Sequence, residues 1–281
     1  TDIPNWPEWF VGPSSKRFLQ ALYRLNNKNS DYTRKLKDPG GENKIIMFKS
    51  CFPNSNLEGN PGDAPRRQGD NLTVSNAKAI YNQLLGYFEN RTDKLFIAIT
   101  APPVHEKTYS TNARAFNNWL VNDWLKNYKE TNVAVFDFYN ILTGKNNHHR
   151  ISGGRVEHLI QNKKNNLYYY PGGGDNHPTV GGNKKAAREF VPFLNHYVSR
   201  WHPGEPVVNP IDTKTISPDT NSLPEKSIAA NAIPDENLID GFNAANNKWE
   251  VFLDGANHNT RLLFRLDQKI KHKGNSSIYI S

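Results

Sequence analysis

The stretch KLFIAITAPP, residues 94–103, decides the fold class. From Leu95 to Ile99 it is apolar without a break. A strand of that composition has no polar face, so it must be buried on both sides. Two prolines then stop it, because proline brings no N–H to a ladder. Working outward, SNAKAIYNQLLGYFEN (75–90) precedes it and NARAFNNWLVNDWLKNY (112–128) follows it. Ala77, Ile80, Tyr81, Leu84, Leu85 and Phe88 recur at helical spacing in the first, and Phe116, Leu120 and Trp124 in the second.

Two more apolar runs flank those helices. KIIMF (44–48) and NVAVFDFY (132–139) both read as buried strands. NKKAAREFVPFLNHYVSRW (183–201) is helical in pattern, with Pro192 expected to kink or split it. Upstream, SSKRFLQALYRL (14–25) places Phe18, Leu19, Leu22, Tyr23 and Leu25 on one face, with Ser14 or Ser15 as its cap. Strand alternating with helix predicts an α/β fold, a three-layer open parallel sheet flanked by helices. Ligands of such sheets sit at the carboxyl ends of the strands.

The predicted organisation has three parts. Residues 1–201 form the α/β domain. Residues 202–236 hold six prolines, from Pro203 to Pro234, without hydrophobic periodicity, and read as an extended linker. In 237–281, KWEVFLD, RLLFRLD and SSIYIS read as short strands of a β-sandwich-like accessory domain that stops before it is complete.

Composition excludes several classes. The net charge of +8 comes from Lys and Arg scattered among Asn, with no basic helix and no aromatic-interleaved basic patch. That predicts a basic surface without nucleic-acid binding. No run approaches the roughly 20 apolar residues of a membrane span. No stretch reads as a signal peptide, and Thr1 is expected to be a processing site or a fragment edge. The only cysteine, Cys51, has no partner for an intrachain disulfide, and no Cys/His metal spacing occurs. Neither a metal nor a cofactor is expected.

The strand ends collect the residues that can carry chemistry. After the first strand come Ser50, Cys51, Asn54 and Ser55; after the second, Thr100 and His105; around the third, Asp137 and Asn140. A glycine-rich turn, GGGDNHPTVGG (172–182), brings Asp175 and His177 just before the last helix. Each residue also has a plainer reading. Asn54 can close an Asx turn. Cys51 is expected to be a small buried apolar residue. Ser50 and Ser55 can be loop hydrogen-bonders, Asp137 is expected inside its strand, and His148 and His149 are expected to be solvated. Trp119 and Trp124 read as core, whereas Trp6, Trp9 and Trp249 are candidates for stacking on a carbohydrate.

This order of blocks resembles the SGNH (GDSL-like) hydrolases over about residues 43–200. IIMFKSCFPNSNL sits where that family carries its Asn-bearing block, and DNHPTVGGNKKAAREFVPFL is similar to its last block, an Asp and a His before a Pro and a closing helix. FKSCFPNS further resembles a motif of an exported bacterial subgroup. The resemblance implies a serine ester hydrolase with His177 as base, Asp175 as its partner and Asn54 as an oxyanion donor. Ser50, Ser55 and His105 are then candidates to bind substrate. Two departures stand out. Asp175 precedes His177 by two residues where the family has three, and no Gly-Asp-Ser block occurs. GDNL at 69–72 falls out of order. The nucleophile and its strand are therefore expected before Thr1.

The expected function is ester hydrolysis on an extracellular carbohydrate or lipid ester, at the cell surface or secreted. The polysaccharide-binding role expected of the accessory segment follows from layout. The rival expectation is a non-catalytic binding or assembly protein that keeps the hydrolase fold.

Overall fold

Leu95–Ile99 is the middle strand of a parallel sheet. In the computed structural model, β1 (Ile45–Lys49), β2 (Leu95–Ile99) and β3 (Val133–Phe136) pair in the order β1-β2-β3. The structure describes residues 2–24 and 41–202, together with the strands at 249–253 and 262–266. Every residue of β2 is buried.

Alternation along the strands divides the core in two. Ile46, Phe96, Ala98, Val133 and Val135 face one layer, where α3 (Val74–Glu89) and α4 (Ser110–Asn122) contribute Tyr81, Leu84, Phe88, Phe116 and Leu120. Ile45, Leu95, Ile97, Ile99, Ala134 and Phe136 face the other, covered by Phe190, Val191, Phe193 and Leu194 of α6 (Val180–Trp201). The connections through α3 and α4 step across the sheet in one direction, so right-handed crossovers put both helices on one face. The opposite face is left for α6. The mixed α/β architecture with a helix-flanked parallel sheet is as the periodicity predicts.

Several details differ from the sequence reading. The N-terminal segment is two short helices, α1 (Trp6–Phe10) and α2 (Ser15–Tyr23). Trp6 is not a free platform for sugar. It is buried, with its ring edge-on to Phe48 and Tyr81 at 5.3 and 5.4 Å. Neither Ser14 nor Ser15 caps α2 with its side chain. Helix α6 runs through Pro192 without being split. Pro192 and Arg188, whose carbonyl loses its partner, are both exposed, so water can meet that carbonyl.

The segment after β3 holds structure that the apolar pattern misses. Asp137 lies just past the strand, where its side chain caps α5 (Phe138–Leu142) by accepting the Asn140 N–H at 3.1 Å. Then β4 (His148–Ser152) and β5 (Arg155–Leu159) form an antiparallel hairpin. Its two-residue turn is Gly153–Gly154, both at positive φ, the geometry that matches strand twist.

Asp137 is fully buried. Its carboxylate accepts from Thr100 Oγ1 at 3.0 Å and meets His158 Nε2 at 2.8 Å, and its own N–H donates to His149 Nδ1 at 2.8 Å. His149 is thus buried rather than solvated, stacked on Phe136. Glu189 of α6 clamps the hairpin from the other side. It accepts the His149 backbone N–H at 2.8 Å and pairs with His148 Nδ1 at 2.7 Å. Burial drives the His149 imidazole down to about 3, against the pull of the Asp137 charge. Burial alone would raise the Asp137 carboxyl, but His158, His149 and the Asn140 N–H outweigh it and hold the carboxyl below its ordinary value.

Beyond the α/β domain, the described residues hold one two-stranded pair. Trp249–Leu253 pairs antiparallel with Leu262–Leu266. Of the proposed linker at 202–236 only His202, the C-cap of α6, is described, and the strand SSIYIS lies outside the described residues.

A pH dependence follows. A neutral buried His149 stabilises the fold above its unfolded value of about 6.5, and that contribution is lost as pH falls toward 3. The depressed Asp137 carboxyl acts in the same direction at lower pH. Stability should therefore fall by up to about 1.4 kcal/mol per pH unit between pH 6.5 and 4 from His149 alone. Urea unfolding across that range should show a shallower slope for His149→Phe, at lower stability at pH 7 because the Asp137 N–H loses its acceptor. An unchanged slope would exclude His149 as the titrating group.

Candidate functional site

Parallel strands release their chain ends at one edge of the sheet, and here three of those ends and one later turn converge. The loop after β1 folds into a short 3₁₀ turn, Pro53–Ser55. Ser50 is fully buried, and its Oγ accepts the Asn54 N–H at 3.1 Å. Asn54 is buried too, with Nδ2 bonded to the Tyr81 hydroxyl at 3.1 Å and Oδ1 without a partner among the described residues. Ser55, also buried, donates its hydroxyl to the Pro102 carbonyl at 2.5 Å and so stitches the β1 loop to the β2 loop. Cys51 differs from the buried thiol expected: it is exposed, and its backbone N–H donates to Asp2 Oδ2 at 2.8 Å.

The turn before α6 carries the clearest chemistry. Gly173 and Gly174 both take φ near +88°, which a side chain would resist. They turn the chain sharply into Asp175. Its Oδ1 accepts the His177 backbone N–H at 3.0 Å and lies 2.6 Å from His177 Nδ1. A two-residue spacing therefore brings carboxylate and imidazole together, because the Asx turn folds the carboxylate back over the ring. An ionised carboxylate only accepts, so Nδ1 carries a proton, and in the neutral imidazole Nε2 is then the nitrogen with the lone pair. The pair is open to solvent, with side-chain exposures of 54% for His177 and 39% for Asp175.

Two contacts fix this turn to the sheet edge. The Phe52 ring stands edge-on to the His177 ring, 6.0 Å between centroids. Asn176 Oδ1 accepts the His105 N–H at 2.7 Å, which ties the turn to the loop after β2. Asp175, His177, Phe52 and His105 thus share one rim. Ser50 and Asn54 are buried in the β1 loop that carries Phe52, while Asp137 is enclosed in the hairpin network.

Sequence reasoning passed over Tyr170. Its hydroxyl is buried without a partner among the described residues, and so is His105 Nε2. The two rings meet edge-on at 6.2 Å. Tyr170 sits in LYYYPGGG, an irregular stretch with no period to flag it. Among the described residues, no group of three or more His, Cys, Asp or Glu is placed to hold a metal ion, and no helix is long and apolar enough to cross a membrane.

Ser55→Ala should leave the Pro102 carbonyl buried without a donor and cost about 1–3 kcal/mol. Equilibrium unfolding in urea would measure it. A change below 0.5 kcal/mol, taken as roughly the effect of a neutral surface substitution, would mean that the stitch between the two loops does not matter.

No family model, no curated protein and no solved structure matches the chain.

Proposed function

We propose that the chain is an SGNH-type ester hydrolase acting on an extracellular carbohydrate or lipid ester. The observation that carries this reading is the 2.6 Å contact between Asp175 and His177 Nδ1 at the carboxyl edge of a parallel sheet. Asp175 holds the imidazole in the tautomer that leaves Nε2 basic. In place of the serine expected upstream, this reading assigns the nucleophile to Ser50, the hydroxyl at the end of β1, two residues before the Phe52 ring that touches His177. Rotation of its side chain toward His177 is required for attack. Catalytic hydrogen bonds are often long in free enzymes and form with substrate.

The chemistry follows in two halves. Ser50 Oγ attacks the ester carbonyl as His177 Nε2 takes its proton. His177 then protonates the departing alcohol, leaving an acyl-serine. Water repeats the cycle from the other side and releases the acid. Asn54 is the oxyanion donor. Turned about its Cβ–Cγ bond, its amide accepts the Tyr81 hydroxyl on oxygen and frees Nδ2 to donate. A donor of this kind contributes roughly 2.7–4 kcal/mol to the transition state. The Pro-rich segment 202–236 would tether the β-rich segment 237–281, with a polysaccharide-binding role for the latter.

The burial of Ser50 favours a second reading, a binding or assembly module that keeps the fold without turnover.

On the hydrolase reading, His177→Ala lowers hydrolysis of p-nitrophenyl acetate by about 10²–10⁴-fold while circular dichroism stays native. Ser50→Ala abolishes both turnover and labelling by a fluorophosphonate. Full activity in His177→Ala would overturn the assignment. A label-free wild type that self-associates in an ordered way would support the binding module instead.

A further inference from the structure

The two most exposed large apolar side chains of the described residues lie on either side of the Asp175–His177 turn in the chain. Tyr168 is 52% exposed before it, and Val180 is 43% exposed after it. Single apolar residues are common on protein surfaces, but these two are not scattered. The turn that carries Tyr168 is fastened to the pair. The Tyr170 N–H closes it on the Leu167 carbonyl at 3.4 Å, and the Tyr169 carbonyl accepts the Thr179 N–H at 2.6 Å. Thr179 follows His177 by two residues, so the Cα atoms of Tyr168 and His177 can be no more than about 18 Å apart. Tyr170, on the same turn, lies close enough to Asp175 to feel its charge.

The character of this surface limits what can rest on it. The Tyr168 ring meets Tyr169 edge-on at 4.8 Å, and one such contact cannot cover both faces of a ring. Further along, Gly172, Gly173 and Gly174 are exposed, with open space where a Cβ would stand. They make no backbone hydrogen bond among the described residues. A pyranose suits such a surface. The C–H groups on its face carry slight positive charge and stack on the negative face of an aromatic ring. Its hydroxyls take the place of water on the bare peptide groups and on the phenol. An acyl chain suits it poorly, because the chain gains only by leaving water on all sides, which takes an enclosed apolar slot. An open apolar cavity does exist, but Trp9, Phe10, Phe18, Leu19 and Leu22 of α1 and α2 line it, and nothing of this rim does.

We propose that Tyr168, with the bare backbone of Gly172–Gly174, is a platform for a sugar ring beside the Asp175–His177 pair, which makes an acylated oligosaccharide or polysaccharide, rather than a lipid ester, the substrate class. The inference rests on the hydrolase reading for turnover but not for binding. Within it, the acyl carbon faces His177 while a neighbouring sugar unit lies on the Tyr168 ring. Tyr168 binds substrate and takes no part in bond breaking.

Partially O-acetylated xylooligosaccharides and hexyl acetate separate the possibilities. Wild type should hydrolyse the saccharide ester with a kcat/KM at least about tenfold above that for hexyl acetate. Tyr168→Ala should raise KM for the saccharide about tenfold, hold kcat within about twofold and leave hexyl acetate unchanged. Tyr168→Phe keeps the ring and should keep a KM close to that of wild type. Unacetylated xylohexaose, titrated by NMR, should bind wild type and Tyr168→Phe, and should bind Tyr168→Ala about tenfold more weakly. If neither ester turns over but xylohexaose binds and Tyr168→Ala weakens it, the hydrolase reading falls and the platform stands. If both esters turn over alike in wild type and Tyr168→Ala, and xylohexaose does not bind, the platform falls and the hydrolase reading stands. Neither turnover nor binding would overturn both. Because the residue is half exposed, Tyr168→Ala should melt close to wild type. A fall of several degrees, absent in Tyr168→Phe, would assign the ring to the fold and overturn the platform as well.

Discussion

A carboxylate shut away from water must find its donors within the protein, and Asp137 draws its own from across the domain. Thr100 at the end of β2, the backbone of α5 and His158 of β5 all converge on it. Its N–H in turn fixes His149 of β4. One residue therefore joins the sheet edge, a helix start and a hairpin that is not part of the main sheet. Removing any one partner would leave a buried charge or a buried donor uncompensated, so the junction is cooperative by construction. Helix α6 depends on it at one remove, because Glu189 grips the same hairpin through His148 and the His149 backbone. Where α6 lies decides where the turn before it can deliver Asp175 and His177.

Around that junction the two apolar layers have separate duties. The layer over α3 and α4 is rich in aromatic edges: Tyr81 touches Trp6, Phe116 and Trp124 within 5.4 Å. Its phenol reaches up to Asn54, so core packing directly sets the β1 loop. The layer under α6 is aliphatic at the strands except for Phe136, which meets Phe190 and Phe193. The site thus rests on one rigid face and one helix-borne turn.

How much of this the residues announce depends on the range of the interaction. The three strands were legible because burial on both faces leaves an unbroken apolar run, and α3 and α4 because a one-sided helix must repeat every three to four residues. The β4–β5 hairpin was not, because HHRIS and RVEHL are held by buried polar contacts and show no apolar alternation. The Gly153–Gly154 pair was the signal available for it. His148 and His149 look solvated in a polar string, and only the approach of Asp137 and Glu189 makes them interior. In the candidate site, Asp175 and His177 could be read from a local turn, since two residues suffice to bring them together. Tyr170 could not, because what marks it is its ring contact with His105, more than sixty residues earlier. The split that Pro192 suggested is absent for a related reason. Its cost in a helix depends on what its neighbours face, and the chain itself does not state that.

The compact Asx turn that links Asp175 to His177 has a mechanical consequence. Carboxylate and ring move as one piece, since the same oxygen holds the backbone and the side chain of His177. That piece hangs from two left-handed glycines on one side and is pinned by Phe52 and by the Asn176–His105 bond on the other. It is a stiff pawl on a loose spring, resting on two stops. Its internal alignment is set within the turn itself, while its height above the β1 loop is set by the two stops. Tuning such a site to a thicker or thinner guest would call for changes at the stops, and none in the pawl.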